Sequence, residues 1–409
     1  MGLFKNDDGG SDPVCSMPNP LAADAPEPFI GSLSFRQFNL CLSGSCTAFV
    51  CLSIFILMAR HATHFSKPNE QSKILKICFL LPFYSLLSLL GIAYPNAYPY
   101  LDPWRDFWEA IALGSFFLLL CEFVSPSSDF RDVFFAALEV PQSRRAKEKG
   151  RPVDGSGLEW YRKRWVFIFQ YVVVSLGIAV ATDITQAINK YCLESSNIHF
   201  SHLWLTIIHN ISITVAVAAC IRFYNALKKD LKHHKPLAKF LSFKLIIGLS
   251  FIQDIVFTIL RSTGTLKPSS TMTYADVNFG IDTMTTCILM VPFAVFFHFS
   301  YDVAPYDITK PRLLPLSEIP PQYIGAPRSS QEALTGRNGS QESFNLRRHI
   351  ANETGGQYYG GALGIKAWAT VPDPREILRA IHFAFTMRTT ARRMNRAVVG
   401  VNPPPYPRY

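Results

Sequence analysis

The chain has 409 residues, of which 49% are hydrophobic and only 17% charged, with a formal net charge of +10. A soluble domain of this length needs less apolar and more charged material, so a wholly water-soluble protein is excluded. The apolar residues fall in separate blocks of about 20, the length that crosses a hydrocarbon core about 30 Å thick, and the predicted fold class is all-α: a bundle of seven transmembrane helices.

Residues 1–35, rich in Pro, Gly and Asp, read as a disordered extracytosolic segment. The opening MGLFKNDDGGSDP lacks the apolar core of a cleaved signal peptide, and Asn6 stands where a myristoylation motif needs Ser or Thr. The bundle is expected over 36–301, with spans at Phe38–Met58, Ile74–Tyr94, Phe107–Val124, Trp165–Ile184, Leu203–Tyr224, Phe240–Leu260 and Ala275–Phe299. Between the third and fourth spans, Asp129–Leu138 is predicted as a short helix lying on the membrane.

Lys and Arg set the orientation. Arg60, Lys67 and Lys73, then the Arg144–Arg164 cluster, then Lys228–Lys239 fill alternate loops, which therefore face the cytosol. The N-terminus lies outside or in a lumen, and the tail, 302–409, is cytosolic and mostly disordered. The positive charge is a topology signal and an attraction to the anionic lipid bilayer; nucleic acid is not implied. One ordered element is predicted in the tail, an amphipathic helix near 373–396. Asp373 is its N-cap, Pro374 its first residue, and Ile377, Leu378, Ile381 and Phe385 lie on one side. It either lies on the cytosolic leaflet or docks on a partner protein.

No phosphate-cradling loop, nucleophile elbow or zinc-protease motif occurs, so no enzyme, cofactor or metal is expected. His199, His202 and His209 share a helical face without a nearby carboxylate and read as interfacial histidines. The seventh span has no Lys for a retinal Schiff base. Cys15 and Cys192 both fall on the outer side and are able to form a disulfide. Cys121 reads as a packing residue, with palmitoylation as the alternative.

Polar groups inside the spans are more informative, because lipid penalises them by several kcal/mol unless a partner or watery cavity receives them. His209, Asn210, Asp254 and Asp282 are predicted at one depth, about 10 Å inside the outer boundary, as one polar layer. Gln170, Lys244 and Glu122 lie nearer the cytosol, where Glu122 and Lys244 are placed to pair. Arg105 and Glu109, four apart with Asp106 beside them, are placed to pair on one face of the third span. Each of these residues also has a purely structural reading, as a bond to a neighbouring helix.

The runs LPFYSLLSLL at 81–90, YLDPWRDFWEAIALGSFFLLLCEFV at 100–124, FQYVVV at 169–174 and RFYNALKKDLKHHKPLAKFLSFKLIIGLSFIQ at 222–253 resemble the organic solute transporter subunit alpha family. Arg105-Asp106 with Glu109-Ala110 matches that family's RD-x-[YF]-EA signature, and Lys239-Phe240 with Lys244 its KF-x-x-x-K signature. The sequence departs from the family at Ile252 and Leu87, where Trp is usual, and at Leu289, where Glu is usual.

The resemblance implies facilitated movement of amphipathic organic solutes such as steroid conjugates, with a single-pass partner subunit in animal members or a homo-oligomer here. The tail segment ALGIKAWATVPDPREILRAIHFAF is similar to fungal members and implies a vacuolar or other endomembrane setting. On this reading Lys244, Gln170, Asn210, Gln253, Asp254 and Asp282 form the substrate path, Lys244 supplying the cation an anion needs. Arg105, Asp106, Glu109 and Glu122 form a structural or gating cluster.

The alternative is an endomembrane scaffold whose tail recruits autophagy or ubiquitin-ligase machinery. Trp368-Ala369-Thr370-Val371 fits a W-x-x-[LIV] docking core, and Pro320-Pro321-Gln322-Tyr323 and Pro403-Pro404-Pro405-Tyr406 spell the P-P-x-Y ligand of WW domains. A seven-helix receptor has no supporting signature.

Overall fold

The computed structural model describes residues 15, 25, 27–124, 134–138, 157–193, 195, 197–228, 231, 236–308 and 357–386, with several side chains inside the 236–262 helix outside that set. Apart from an isolated bridge between Ile30 and Leu33, the described residues are helical or irregular.

Helix α1, Phe35–Thr63, opens on a capping box: the Ser34 hydroxyl accepts from the Gln37 amide, and the Gln37 side chain accepts from the Ser34 amide. Helices α2, Pro68–Cys78, and α3, Leu80–Ala93, form one rod interrupted at Phe79. The interruption falls there because Pro82 cannot donate to the carbonyl four residues back and its ring crowds it. Helix α4 spans Tyr98–Val124, well ahead of the predicted start at Phe107. Pro99 and Pro103 resemble a loop in the sequence; Pro99 falls in the first turn, where its missing amide has no partner anyway, and the helix tolerates Pro103 inside it at the cost of one hydrogen bond.

Helices α5, Gly157–Ala187, α6, Ser201–Leu227, and α7, Pro236–Ser262, follow. A π turn, Asp276–Gly280, leads into α8, Ile281–Ser300, and the Gly280 carbonyl it frees accepts from Asn39 Nδ2 at 2.7 Å. All seven predicted spans fall on these helices. Among the described residues six stretches are long and apolar enough to cross a membrane: α1, α2 with α3, α4, α5, α6, and α8 with its flanking turns. Helix α7 is the 27-residue helix at the predicted sixth span.

The packing runs from α6 onto α5, from α5 onto α4, from α4 onto α2 and α3, and from α3 onto α1 and α8. The α5–α4 seam is aromatic: Phe117 meets Trp165 and Phe223 edge-on at 5.2 and 4.8 Å. Phe135 is fully buried and stacks on Tyr161 at 3.9 Å. Of the helix predicted near Asp129–Leu138 residues 134–138 are described, and Phe135 anchors them to the seam. Cys121 is buried beside Tyr161, as a packing residue. On the opposite side of the bundle Cys15 and Cys192 form a disulfide, with Cα atoms 5.6 Å apart.

The tail does not stay apart. Tyr359 donates its amide to the Phe65 carbonyl at 2.8 Å, and Gly364, at φ +74°, runs so close to Ala62 that a Cβ would sit 2.6 Å from it. Trp368 packs on Phe55 at 6.2 Å and Val371 is buried, so the W-x-x-[LIV] core is turned onto the bundle. Helix α9, residues 375–386, begins where predicted, with Asp373 accepting from the Arg375 amide at 3.0 Å. Its buried face is Ile377, Ala380 and Ala384, while Leu378 and Phe385 are 57% and 59% exposed. Leu378 and Phe385 thus leave the single apolar side expected of them, because the small alanines allow closer approach to α4 and α5. Residues 387–396 of the predicted helix, and both P-P-x-Y motifs, lie outside the described residues.

Candidate functional site

Helix α4 carries the polar centre. One turn apart on its inner side, Asp102, Arg105, Asp106 and Glu109 enter the half of the bundle opposite the tail. Glu109 is 4% exposed and receives a very short hydrogen bond from the Tyr84 hydroxyl of α3. Tyr171 lies 3.3 Å from His209 Nε2 of α6, which lies 3.6 Å from Asp106. Two polar links therefore leave α4: Glu109 to Tyr84 of α3, and Asp106 through His209 of α6 to Tyr171 of α5.

Arg105 does not take Glu109 as its partner, as the i, i+4 spacing suggested. It pairs with Asp102 one turn outward, donates to Ser88 at 3.4 Å and lies 5.6 Å from the Tyr84 ring centroid. Glu109 points away to Tyr84, and Asp102 offers Arg105 a less buried carboxylate. Trp104 donates to Asp183 of α5 at 3.1 Å, closing the outer end.

A second polar group joins α7 to α8. Gln253 donates to the Asp282 carboxylate at 2.6 Å and to Thr286 at 3.0 Å. Of the four residues expected in one polar layer, His209 meets Asp106 of α4 and Asp282 meets Gln253 of α7. The side chains of Asp254 and Lys244 lie outside the described residues. Glu122 lies 3.6 Å from Lys73 of α2, a partner the sequence reading did not consider.

Gln170 is engaged with Ser212 at both ends, accepting at 2.8 Å and donating to its carbonyl at 2.9 Å, which ties α5 to α6. Asn210 is exposed. With Thr206 and Thr214, both exposed and four residues to either side, it makes a polar stripe along α6, next to His209 and apart from the apolar stripe Trp204, Ile208, Ile211 and Val215. Helix α7 packs on α8, and among the described helices it has no more than marginal contact with α6. Gln253 of α7 is buried and turned onto α8, and Arg105 and Asp106 stand on α4.

The three histidines do not converge. His199 bonds Asn197, His202 meets the Tyr191 ring at 5.2 Å, and His209 meets Asp106 of α4. Among the described residues no group of His, Cys, Asp or Glu has the arrangement of a metal site. Tyr84, Tyr171 and Asp102 are the site residues that sequence reasoning missed. A tyrosine and two serines inside the apolar run 81–90 were the available signal for the first.

The sequence profile described as organic solute transporter Ostalpha matches residues 39–306. A transmembrane protein 184 homolog of Dictyostelium discoideum is 27% identical over 267 residues, which cover 62% of this chain and 50% of that protein, so the chain spans half the length of this curated relative. No solved structure matches.

Proposed function

The chain belongs to the organic solute transporter Ostalpha family, and from that premise we propose that it carries amphipathic organic anions, of the steroid-conjugate kind, past the polar groups of α4, α6, α7 and α8. The observation that carries this reading is the set of polar side chains held between otherwise apolar helices: Asp106 with His209, Glu109 with Tyr84, and Gln253 with Asp282. An amphipathic solute dissolves in the bilayer, but its charged head costs at least about 2.5–3.5 kcal/mol in the hydrocarbon centre. Its apolar body stays against exposed apolar side chains such as Ile208 and Ile211 of α6 and Ile252 and Val256 of α7. Its head passes Asn210, Gln253 and Asp254, with Arg105 on α4 and Lys244, nine residues before Gln253 on the tail side of α7, as the cations. Asp282 holds Gln253 in place, Gln170 ties α5 to α6, and Glu109 is the buried acid of α4.

In this proposal all seven helices span, the disulfide side faces a lumen or the outside, and the lysine-rich loops and tail face the cytosol of a vacuolar or other endomembrane. A single-pass subunit or a second copy completes the assembly. Purified protein in proteoliposomes, offered labelled steroid sulfate, tests the function. Saturable uptake is expected; its absence for every amphipathic anion tried, with and without a co-expressed partner, refutes the reading.

A further inference from the structure

Two lysines of α2 are buried where a helix usually meets lipid or a neighbour. Lys73 and Lys76 have side chains 4% and 3% exposed. Glu376 of α9 reaches both: Oε1 lies 2.5 Å from Lys73 Nζ, and Oε2 lies 3.4 Å from Lys76 Nζ. Lys73 also bonds the Asn69 carbonyl at 2.5 Å and faces Glu122. Glu376 itself is 31% exposed, so the cations belong to the bundle's interior and the carboxylate enters from the rim.

The rest of the segment follows this seat. Ile377 reaches Gly114 on the outer side of α4, where a Cβ would meet Phe169, Val172 and Ile377 together at 3.2–3.8 Å. The Trp165 indole of α5 donates to the Ala380 carbonyl at 2.8 Å and packs on Phe383 at 5.1 Å. Residues 359–371 are pinned to the end of α1 by Phe65, Ala62 and Phe55. The segment therefore runs across α1, α2, α4 and α5, all on the tail side, and ends with its second apolar stripe, Leu378 and Phe385, facing outward.

We propose that Lys73 and Lys76 form a carboxylate-binding site whose ligand is Glu376 of the same chain, and that residues 357–386 are a strap held reversibly on the outer face of α4 through it. A buried cation pair left without its carboxylate is costly, which makes the docked state specific; a ligand at the rim, on a segment tethered through residues 309–356, is able to leave. Because α4 carries Arg105, Asp106 and Glu109, the strap braces the helix that organises the polar centre. Only this last consequence rests on the transport reading.

The docking is tested without measuring flux. In full-length Ala380→Cys protein in detergent-permeabilised membranes, labelling by a water-soluble maleimide, read above the parent's background, should be slow. Adding Glu376→Lys should accelerate it at least tenfold, and adding Gly364→Ala, which unseats the other end, should do the same. The charge exchange Lys76→Glu with Glu376→Lys should restore protection and a monodisperse elution profile, which separates undocking from misfolding. Fast labelling of Ala380→Cys alone, an unchanged rate with Glu376→Lys, or no recovery on charge exchange each overturns the carboxylate site.

Discussion

Gln253 of α7 donates to the Asp282 carboxylate of α8 at 2.6 Å, and this bond with its neighbour at Thr286 is a polar latch between the two helices. Helix α7 has α8 as its main support, so the latch bears on the whole helix. Gln253→Leu leaves the buried side of Asp282 without its donor, at a cost of about 1–3 kcal/mol. A lower melting temperature in detergent is expected for the variant, and a melting temperature equal to the parent's shows that the bond adds nothing.

The Cys15–Cys192 disulfide ties the N-terminal segment to the loop between α5 and α6, 177 residues away. A cross-link closing so long a loop contributes about 2–4 kcal/mol by restricting the unfolded chain. Cys15→Ser, or reductant added to the parent, is expected to lower the melting temperature, and reductant should have no further effect on Cys15→Ser. An identical melting curve with and without reductant counts against the bond.

How far the sequence disclosed all this depends on the range of the interaction. The spans were legible because each apolar block is a local property, and Pro99 and Pro103 misled only the start of α4. Arg105, Asp106 and Glu109 were visible as charges at the start of a span, yet their partners were not, and Asp102 was not singled out. Arg105 had carboxylates one turn away on both sides, and spacing alone does not choose between Asp102 and Glu109. The Lys76–Glu376 pair, 300 residues apart, has no local trace at all. An amphipathic helix with arginines reads as membrane-bound until the lysines it covers are known.

Lys244 tests the anion reading directly. It is the cation of the KF-x-x-x-K signature and lies on α7, nine residues before Gln253 on the tail side. Lys244→Ala is expected to lower uptake of an anionic solute on the order of tenfold, the equivalent of about 1.4 kcal/mol, while elution and melting stay those of the parent. Unchanged uptake makes Lys244 a snorkelling residue whose charge reaches the interface.

Topology has its own reporter. Asn338 in Asn-Gly-Ser and Asn352 in Asn-Glu-Thr are acceptor sites for N-glycans if their side of the membrane is lumenal. With the lysine-rich loops and the tail in the cytosol, neither carries a glycan. Glycosidase treatment should therefore leave the protein's mobility on a gel unchanged; a shift that Asn338→Gln or Asn352→Gln removes inverts the orientation.

The two P-P-x-Y motifs make a prediction independent of what the bundle carries. Pro320-Pro321-Gln322-Tyr323 and Pro403-Pro404-Pro405-Tyr406 stand on either side of the strap in sequence, both outside the described residues. Consecutive prolines favour the extended polyproline-II form, so little ordering entropy is lost when the rings and the terminal tyrosine enter an aromatic groove of the WW type. Two motifs on one chain turn the second contact into an intramolecular event and raise the avidity for a ligase with several such domains. Lys366, exposed at the edge of the strap, and Lys310 at the start of the tail are then acceptors for ubiquitin. Tyr323→Ala combined with Tyr406→Ala should reduce ubiquitination and lengthen the protein's lifetime in the membrane, with each single variant showing a smaller effect. Equal ubiquitination of the double variant and the parent reduces the prolines to a stiff spacer.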